Sequence, residues 1–298
     1  MYISFIKHRK IFYTFSIILV ISSLASILVF GLRPGIDFTG GTSLQVAYKN
    51  ISPEISLVKQ KISDMDLGQV SIQKSGENGI ILKAKTINES THQEILRKLN
   101  EIGELEKGSE SFQSIGPVIG KEMEKKTRIV VFLALLSILI YIAISFRKVS
   151  RPVKSYIYGF SGLIALCHDV LVPLGILSVL GKFYGVEITI PIITAFLTVF
   201  GYSINDSVVV FDRVRENLLK LKAPTFEEIV EKSLNQSLTR SLNTSFTTLI
   251  VLFSIFLFGG QTLKFFSLTL ILGISFGTYS SLFLATPLLV SFQKHKEK

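Results

Sequence analysis

Long apolar runs separated by short polar stretches dominate the chain. A hydrocarbon layer of about 30 Å needs about 20 predominantly apolar residues per helix. Six runs meet that length, at residues 11–31, 128–146, 155–180, 188–211, 240–259 and 265–291. Between the first two lie 96 residues with a different grammar. In GIDFTGGTSLQVAY, Leu44, Val46 and Tyr48 alternate with polar positions, as in a half-buried strand. Ser52-Pro53 predicts a helix start, with Ser as N-cap and Pro at the first helical position, and Ile55, Val58 and Ile62 form its apolar face. Val70 and Ile72 mark a second strand, SGENG a hairpin turn and GIILKAK a third strand. Capping-box spacing at Ser90-Thr91-His92-Gln93 opens a second helix striped with Ile95, Leu99 and Ile102. A last strand over 111–115 completes β-α-β-β-α-β, a ferredoxin-like arrangement.

The predicted fold class is therefore an α-helical polytopic membrane protein with six transmembrane helices and an inserted α+β ferredoxin-like external domain. Its parts are residues 1–32 (N-terminus and first span), 33–127 (external domain) and 128–298 (spans two to six and tail). Composition agrees: 48% of the 298 residues are hydrophobic and 18% charged, against about 25% charged in soluble domains. The first run is read as an uncleaved helix, since it exceeds a signal-peptide apolar region and no A-x-A site follows. Cys167 is the sole cysteine, so no intrachain disulfide can form.

The net charge of +10 would suit nucleic acid if it were clustered on the polar segment, but residues 33–127 carry 13 basic and 13 acidic side chains. The surplus flanks the spans on one side. Lys7, Arg9 and Lys10; Arg147, Lys148, Arg151 and Lys154; Arg213, Arg215, Lys220, Lys222 and Lys232; and Lys294, Lys296 and Lys298 all fall there. The opposite loops hold only Lys182 and Lys264. Positive residues in short loops stay in the cytoplasm, which predicts cytoplasmic termini and an outward-facing 33–127 segment. A nucleic-acid partner is excluded on this reading, and the lipid bilayer is the expected one.

Few ionisable groups lie inside the apolar runs: His168 and Asp169 in the third, Asp206 in the fourth and Arg240 at the head of the fifth. A charge at the bilayer centre costs at least about 2.5–3.5 kcal/mol, so each should face protein or water. Asp206, with Asn205 beside it, is the first candidate. Burial disfavours an ionised carboxylate and a neighbouring cation favours it, so such a group can load and release a proton. Arg240 enters at a similar depth in SLTRSLNTSFTT; it either pairs with Asp206 or anchors its helix at the headgroups. His168 and Asp169 are secondary relay candidates or structural hydrogen-bonding groups, and at most one of them is expected to face Asp206 directly. Asp212, Arg213, Arg215 and Glu216 are expected to pair with one another at a helix end. His92 is expected to face solvent. Gly35, Gly40 and Gly41 frame Asp37 in GIDFTGG without the P-loop lysine or Rossmann spacing, and are read as serving a tight chain exit from the membrane. No metal-ligand spacing is present, so no metal or cofactor is expected.

GIDFTGGT, the IGPVIG run with Gly116, Pro117 and Gly120, ALCHDV, GYSINDSVVVFDRVREN and SLTRSLNTSFTTL occur in order over nearly the whole chain. Together they resemble the SecD/SecF family of protein-export membrane proteins, on its SecF side, within the resistance-nodulation-division superfamily. The resemblance implies SecD and the SecYEG channel as partners, preproteins as substrates in transit, protons as the coupling ion and the bacterial cytoplasmic membrane as location. It also implies Asp206 as the proton-path residue of the N-D-[ST] motif and Arg240 as its functional neighbour. SecD and SecF are sometimes fused, and an end at Lys298 implies a separate SecD chain. Two transmembrane aspartates also suggest an intramembrane aspartyl protease, but neither Asp169 nor Asp206 carries G-x-G-D. A small-molecule exporter subunit and a passive translocon scaffold are the further alternatives.

Overall fold

The computed structural model describes residues 4–145, 155–220 and 225–297. Arg147, Lys148, Arg151, Lys154, Lys222 and Lys298, which carry part of the charge asymmetry, lie outside the described residues. The chain forms two compact units.

The α+β unit comprises Arg33–Ile129 with Glu187–Thr189. A short helix α2 (Ile36–Thr39) leads into β1 (Gly41–Ala47), α3 (Ile55–Lys61), β2 (Ser71–Ser75), β3 (Gly79–Ala84), α4 (Glu89–Ile102) and β4 (Ser111–Ile115). The strands make one antiparallel sheet in the order β2-β3-β1-β4, which is the expected ferredoxin-like topology. Register follows the alternation: Leu44 lies opposite both Leu82 and Phe112, and Val46 opposite Ile80. Those inward residues join Val58 of α3, its C-cap Ile62, Leu67, and Ile95 and Leu99 of α4 in one apolar core. Tyr48 completes that core, and burial pushes its phenol up to about 12.

Three local expectations are corrected here. Helix α3 starts at Ile55 with Glu54 as its N-cap position, and Ser52 is instead buried, donating to the Glu77 carbonyl; Ile55 is exposed. Helix α4 is capped by Asn88, whose side chain accepts from the Thr91 N–H at 2.9 Å, while the Ser90 hydroxyl donates to that same oxygen. His92 is 3% exposed: Phe112 stacks on its ring at 3.9 Å, and Glu89 and Glu110 oxygens lie 3.1 and 2.8 Å from its nitrogens. A position in the first turn of a helix faces solvent only if no strand covers it, and β4 covers this one.

The helical unit comprises Met1–Leu32, Val130–Val186 and Ile190–Lys298. Its six membrane-length elements are α1 (Arg9–Phe30), α5 (Pro117–Ser145), α6 (Ser155–Tyr184), α7 (Ile190–Lys220), α8 (Phe226–Phe258) and a composite of α9 (Gln261–Ser280), a π-turn (Ser281–Ala285) and α10 (Thr286–Glu297). This is a multi-pass membrane protein. The helices outrun the apolar stretches that announce them, because backbone hydrogen bonding continues wherever residues permit. Elements α6, α7 and the composite form the buried centre, α1 packs on α6, and α8 on α7 and α9. Small residues set the spacing, as they do between membrane helices. A Cβ on Gly273 of α9 would come 2.2 Å from Val199 of α7, and one on Gly175 of α6 would come 2.4 Å from Ser23 of α1.

The π-turn has a local cause. Pro287 lacks the N–H that an α-helix would offer the Phe283 carbonyl, and its ring crowds that carbonyl. Widening the preceding turn relieves the crowding. The Thr286 hydroxyl then donates to the Ser281 carbonyl at 2.8 Å, satisfying an acceptor that the wider turn displaces.

A buried carboxylate pair as candidate functional site

Asp206 sits on α7, 7% exposed, with hydroxyls as its hydrogen-bonding partners. Oδ1 accepts from Ser241 of α8 at 2.7 Å, and Oδ2 accepts from Ser281 at the start of the π-turn. Asp169 of α6 is fully buried. Its Oδ1 lies 2.9 Å from His168 Nδ1, and its Oδ2 accepts from Ser203 of α7 at 2.6 Å and Ser280 of α9 at 2.7 Å. An ionised Asp169 assigns the shared proton to Nδ1, since a carboxylate only accepts. His168 is 2% exposed between Phe276 and Tyr279.

Two carboxylates from two helices are thus joined through adjacent serines of a third. No hydrogen bond joins His168 or Asp169 to Asp206 among the described residues; the adjacent Ser280 and Ser281 each donate to one of the two carboxylates. Ser280 and Ser281 are not among the residues that the sequence singles out. Their signal was available in Thr278-Tyr279-Ser280-Ser281 followed by Thr286-Pro287, a polar run and a proline inside an apolar span.

The Asp206–Arg240 pairing is not what the structure forms. No ion pair joins them among the described residues; Arg240 is exposed, and Ser241 takes the contact. Consecutive helical residues point about 100° apart, and the face of α8 that meets α7 is the buried stripe Ser233, Ser237, Ser241 and Ser245. A guanidinium one position off that stripe cannot enter a contact sized for hydroxyls. Asn205 is exposed for the same reason, one residue from Asp206. Arg240 instead lines a cavity of about 470 Å³ with Tyr141, Asp212, Arg213, Gln236 and Ser237. Nearby charges pair locally as expected: Arg213 with Glu216 at 2.6 Å and Arg215 with Asp212 at 3.6 Å.

In the α+β unit the motif residues build a packed junction. Gly40 adopts φ +73°, and a Cβ there would meet the Pro117 backbone at 2.9 Å. A Cβ on Gly120 would meet Gly40 N at 2.8 Å and Phe38 O at 2.9 Å. GIDFTGG and IGPVIG, nearly eighty residues apart in the chain, are therefore two halves of one backbone contact, with Pro117 as the first residue of α5. Gly35 packs against Thr189 and its N–H donates to the Ile188 carbonyl; Gly41 packs against the Ala84 carbonyl. Asp37 is buried in the first turn of α2 with Gln113 3.4 Å away. Nothing lies within 4 Å of a Cβ placed on Gly116, and the structure gives no reason for glycine there.

Comparison with known proteins agrees with this architecture. Residues 94–295 match the family model "Protein export membrane protein SecD/SecF, C-terminal", and residues 25–50, which contain Gly40 and Gly41, match the SecD/SecF GG motif. A protein translocase subunit SecF of Thermobaculum terrenum is 40% identical, covering 98% of this chain and 94% of the relative. Another, of Haemophilus influenzae, is 35% identical over 94% of this chain and 83% of the relative. The crystal structure of SecDF from Thermus thermophilus, a translocon-associated membrane protein, superposes with a TM-score of 0.84 at 28% identity. A SecDF structure in a super-membrane-facing form gives 0.70 at 27%. The chain is covered to 99% and 100% in these two and spans 39% of each SecDF chain. On this evidence the chain belongs to the SecD/SecF family of protein-export membrane proteins.

Proposed function

We propose that this chain is the SecF-type part of a proton-driven preprotein translocation assembly, with SecD as its partner and working beside the SecYEG channel. It sits in the bacterial cytoplasmic membrane with both termini in the cytoplasm. Asp206 takes up and releases the coupling proton, and no cofactor or metal enters. The observation that carries this reading is a carboxylate at membrane depth whose hydrogen-bonding partners are neutral hydroxyls. An ionised Asp there is held at a cost of at least about 2.5–3.5 kcal/mol, so proton uptake relieves it and can drive rearrangement. The likeness to SecDF structures supports SecD as the partner. Arg240, on the cavity wall one residue from Ser241, is the cation that a movement of α8 would bring toward Asp206.

Asp206→Asn keeps an acceptor for Ser241 and removes the titratable group. Expected is normal membrane insertion and normal co-purification with the SecD-type chain, with loss of the gradient-dependent part of preprotein export. Arg240→Met is expected to do the same. Wild-type export kinetics in both variants at equal expression would leave only a scaffold role. Cleavage of a helical reporter by the purified protein, lost in Asp169→Asn and Asp206→Asn alike, would instead mark a protease.

A further inference from the structure

We propose that Ser280 and Ser281 are positioning residues that couple the charge state of Asp206 to that of Asp169 through the π-turn, making the His168–Asp169 pair a second, linked protonation site. This rests on the reading of Asp206 as the proton carrier and adds to it how the event is transmitted.

The argument starts from the choices open to each hydroxyl. Ser281 Oγ donates to Asp206 Oδ2, yet the Thr278 carbonyl lies 3.1 Å away as an alternative acceptor. Ser280 Oγ donates to Asp169 Oδ2 at 2.7 Å, with the Gly277 carbonyl at 3.1 Å. A serine has one O–H and can serve one acceptor fully at a time. An ionised carboxylate outcompetes a backbone carbonyl, because charge-assisted hydrogen bonds are about twice as strong as neutral ones. When a proton binds Asp206 Oδ2, that oxygen becomes a donor and the competition reverses. Ser281 O–H then turns to the Thr278 carbonyl, and Oδ2–H is free to donate back to Ser281 Oγ.

Backbone geometry makes the turn of one serine matter to the other. A π-turn holds one residue more than an α-turn, and each residue of helix spans about 100°. Reversion to α geometry would rotate Ser280 and Ser281 together relative to α10, so the pair cannot follow one carboxylate while ignoring the other. Packed elements with two discrete arrangements are what turn small local shifts into larger ones. The turn also carries Phe283, which packs on Phe5 and Phe12 at 5.3 and 4.5 Å. The titratable groups around it are Asp206 of α7, Cys167, His168 and Asp169 of α6 and Tyr279 of α9; α8 contributes the Ser241 hydroxyl and the Arg240 guanidinium, whose charge acts on Asp206 without an ion pair among the described residues.

Infrared difference spectroscopy of the full chain with its SecD-type partner in lipid nanodiscs tests the coupling directly. With the Asp169 carboxylate band assigned by its disappearance in Asp169→Asn, that band is expected to move when Asp206→Asn is introduced. In Ser280→Ala or Ser281→Ala backgrounds that movement should vanish. Ser241→Ala also removes a donor from Asp206 but lies off the π-turn, and should leave it intact. Ser281→Ala is expected to slow gradient-dependent export about tenfold, the scale of one hydrogen bond to a charged group. Persistence of the Asp169 response in both serine variants, or its loss in Ser241→Ala alone, overturns the proposal. Normal export by Asp206→Asn would remove the relay reading separately, and the band coupling still decides this one.

Discussion

Both units bury apolar side chains, but the helical unit adds a dense set of buried hydroxyls and two carboxylates. In the α+β unit, Leu44, Val46, Val58, Ile80, Leu82, Ile95 and Leu99 are buried, with Asp37, Thr42, Ser52 and His92 as the buried polar groups among the described residues. In the helical unit, Ser203, Ser207, Ser241, Ser245, Thr278, Ser280, Ser281, Asp169 and Asp206 are buried, while Ile18, Leu28, Phe132, Ile140 and Phe246 are exposed. Water drives the first arrangement, since burying apolar area there gains about 25 cal/mol per Å². Lipid supplies no such force between helices, and association rests on close packing and interhelical hydrogen bonds. The consequence is functional. Hydroxyls in this interior donate to both oxygens of Asp206 and to Asp169 Oδ2, and His168 Nδ1 lies against Asp169 Oδ1.

The largest expected effect breaks the apolar side of this contrast. Leu82→Ala should cost about 2–5 kcal/mol, a large part of the about 5–15 kcal/mol that holds a domain together. Trypsin sensitivity of the 33–129 segment in the intact chain would report it. Next, Gly273→Ala attacks the close packing of the other unit, where its methyl overlaps Val199. Overpacking of this kind costs about 1–3 kcal/mol, and the thermal midpoint in detergent should fall. Tyr48→Phe sharpens the comparison by removing a buried hydroxyl without a hydrogen-bond partner among the described residues. Stability is expected to hold or rise by up to about 1 kcal/mol, because a stranded polar group costs more than its absence. A clear loss would mean that the core of the α+β unit depends on polar contacts after all.

The smallest effect concerns surface charge. The Gln93 and His92 side chains hold Glu89 below the usual carboxylate range, and Lys98 does so for Asp64. Groups with folded values below their unfolded ones stabilise above the ordinary carboxylate range, and that contribution is lost as pH falls through the lowered values. Near-ultraviolet circular dichroism of the full chain should therefore stay constant from pH 7 to 5 and change only in stronger acid. Both carboxylates are exposed, so the change should be modest.

Much of the fold was legible because it depends on local periodicity. The β4 strand falls at Ser111–Ile115, where it was expected to complete the β-α-β-β-α-β order, and the ferredoxin-like strand order follows from those six elements in sequence. Helix starts were less legible: Ser52-Pro53 has the right residues for a cap, but Ser52 finds a better acceptor in the Glu77 carbonyl across the unit. At the candidate site, Asp206 and Asp169 announced themselves by being charged in apolar runs. Arg240 did so too, with two readings left open, and no direct ion pair to Asp206 forms among the described residues, because depth along a helix says nothing of the 100° that separates it from Ser241.

By itself the sequence determined how many spans there are, where the alternating strands lie and which carboxylates enter the membrane, since those follow from hydropathy and period along one chain. Tertiary structure alone decided that serines answer those carboxylates, that His92 is covered by β4 and that Gly40 meets Gly120. Each of these depends on which faces of separate elements meet. Hydrogen bonds and close packing act over a few ångströms between residues the chain keeps far apart, and no local pattern records that meeting.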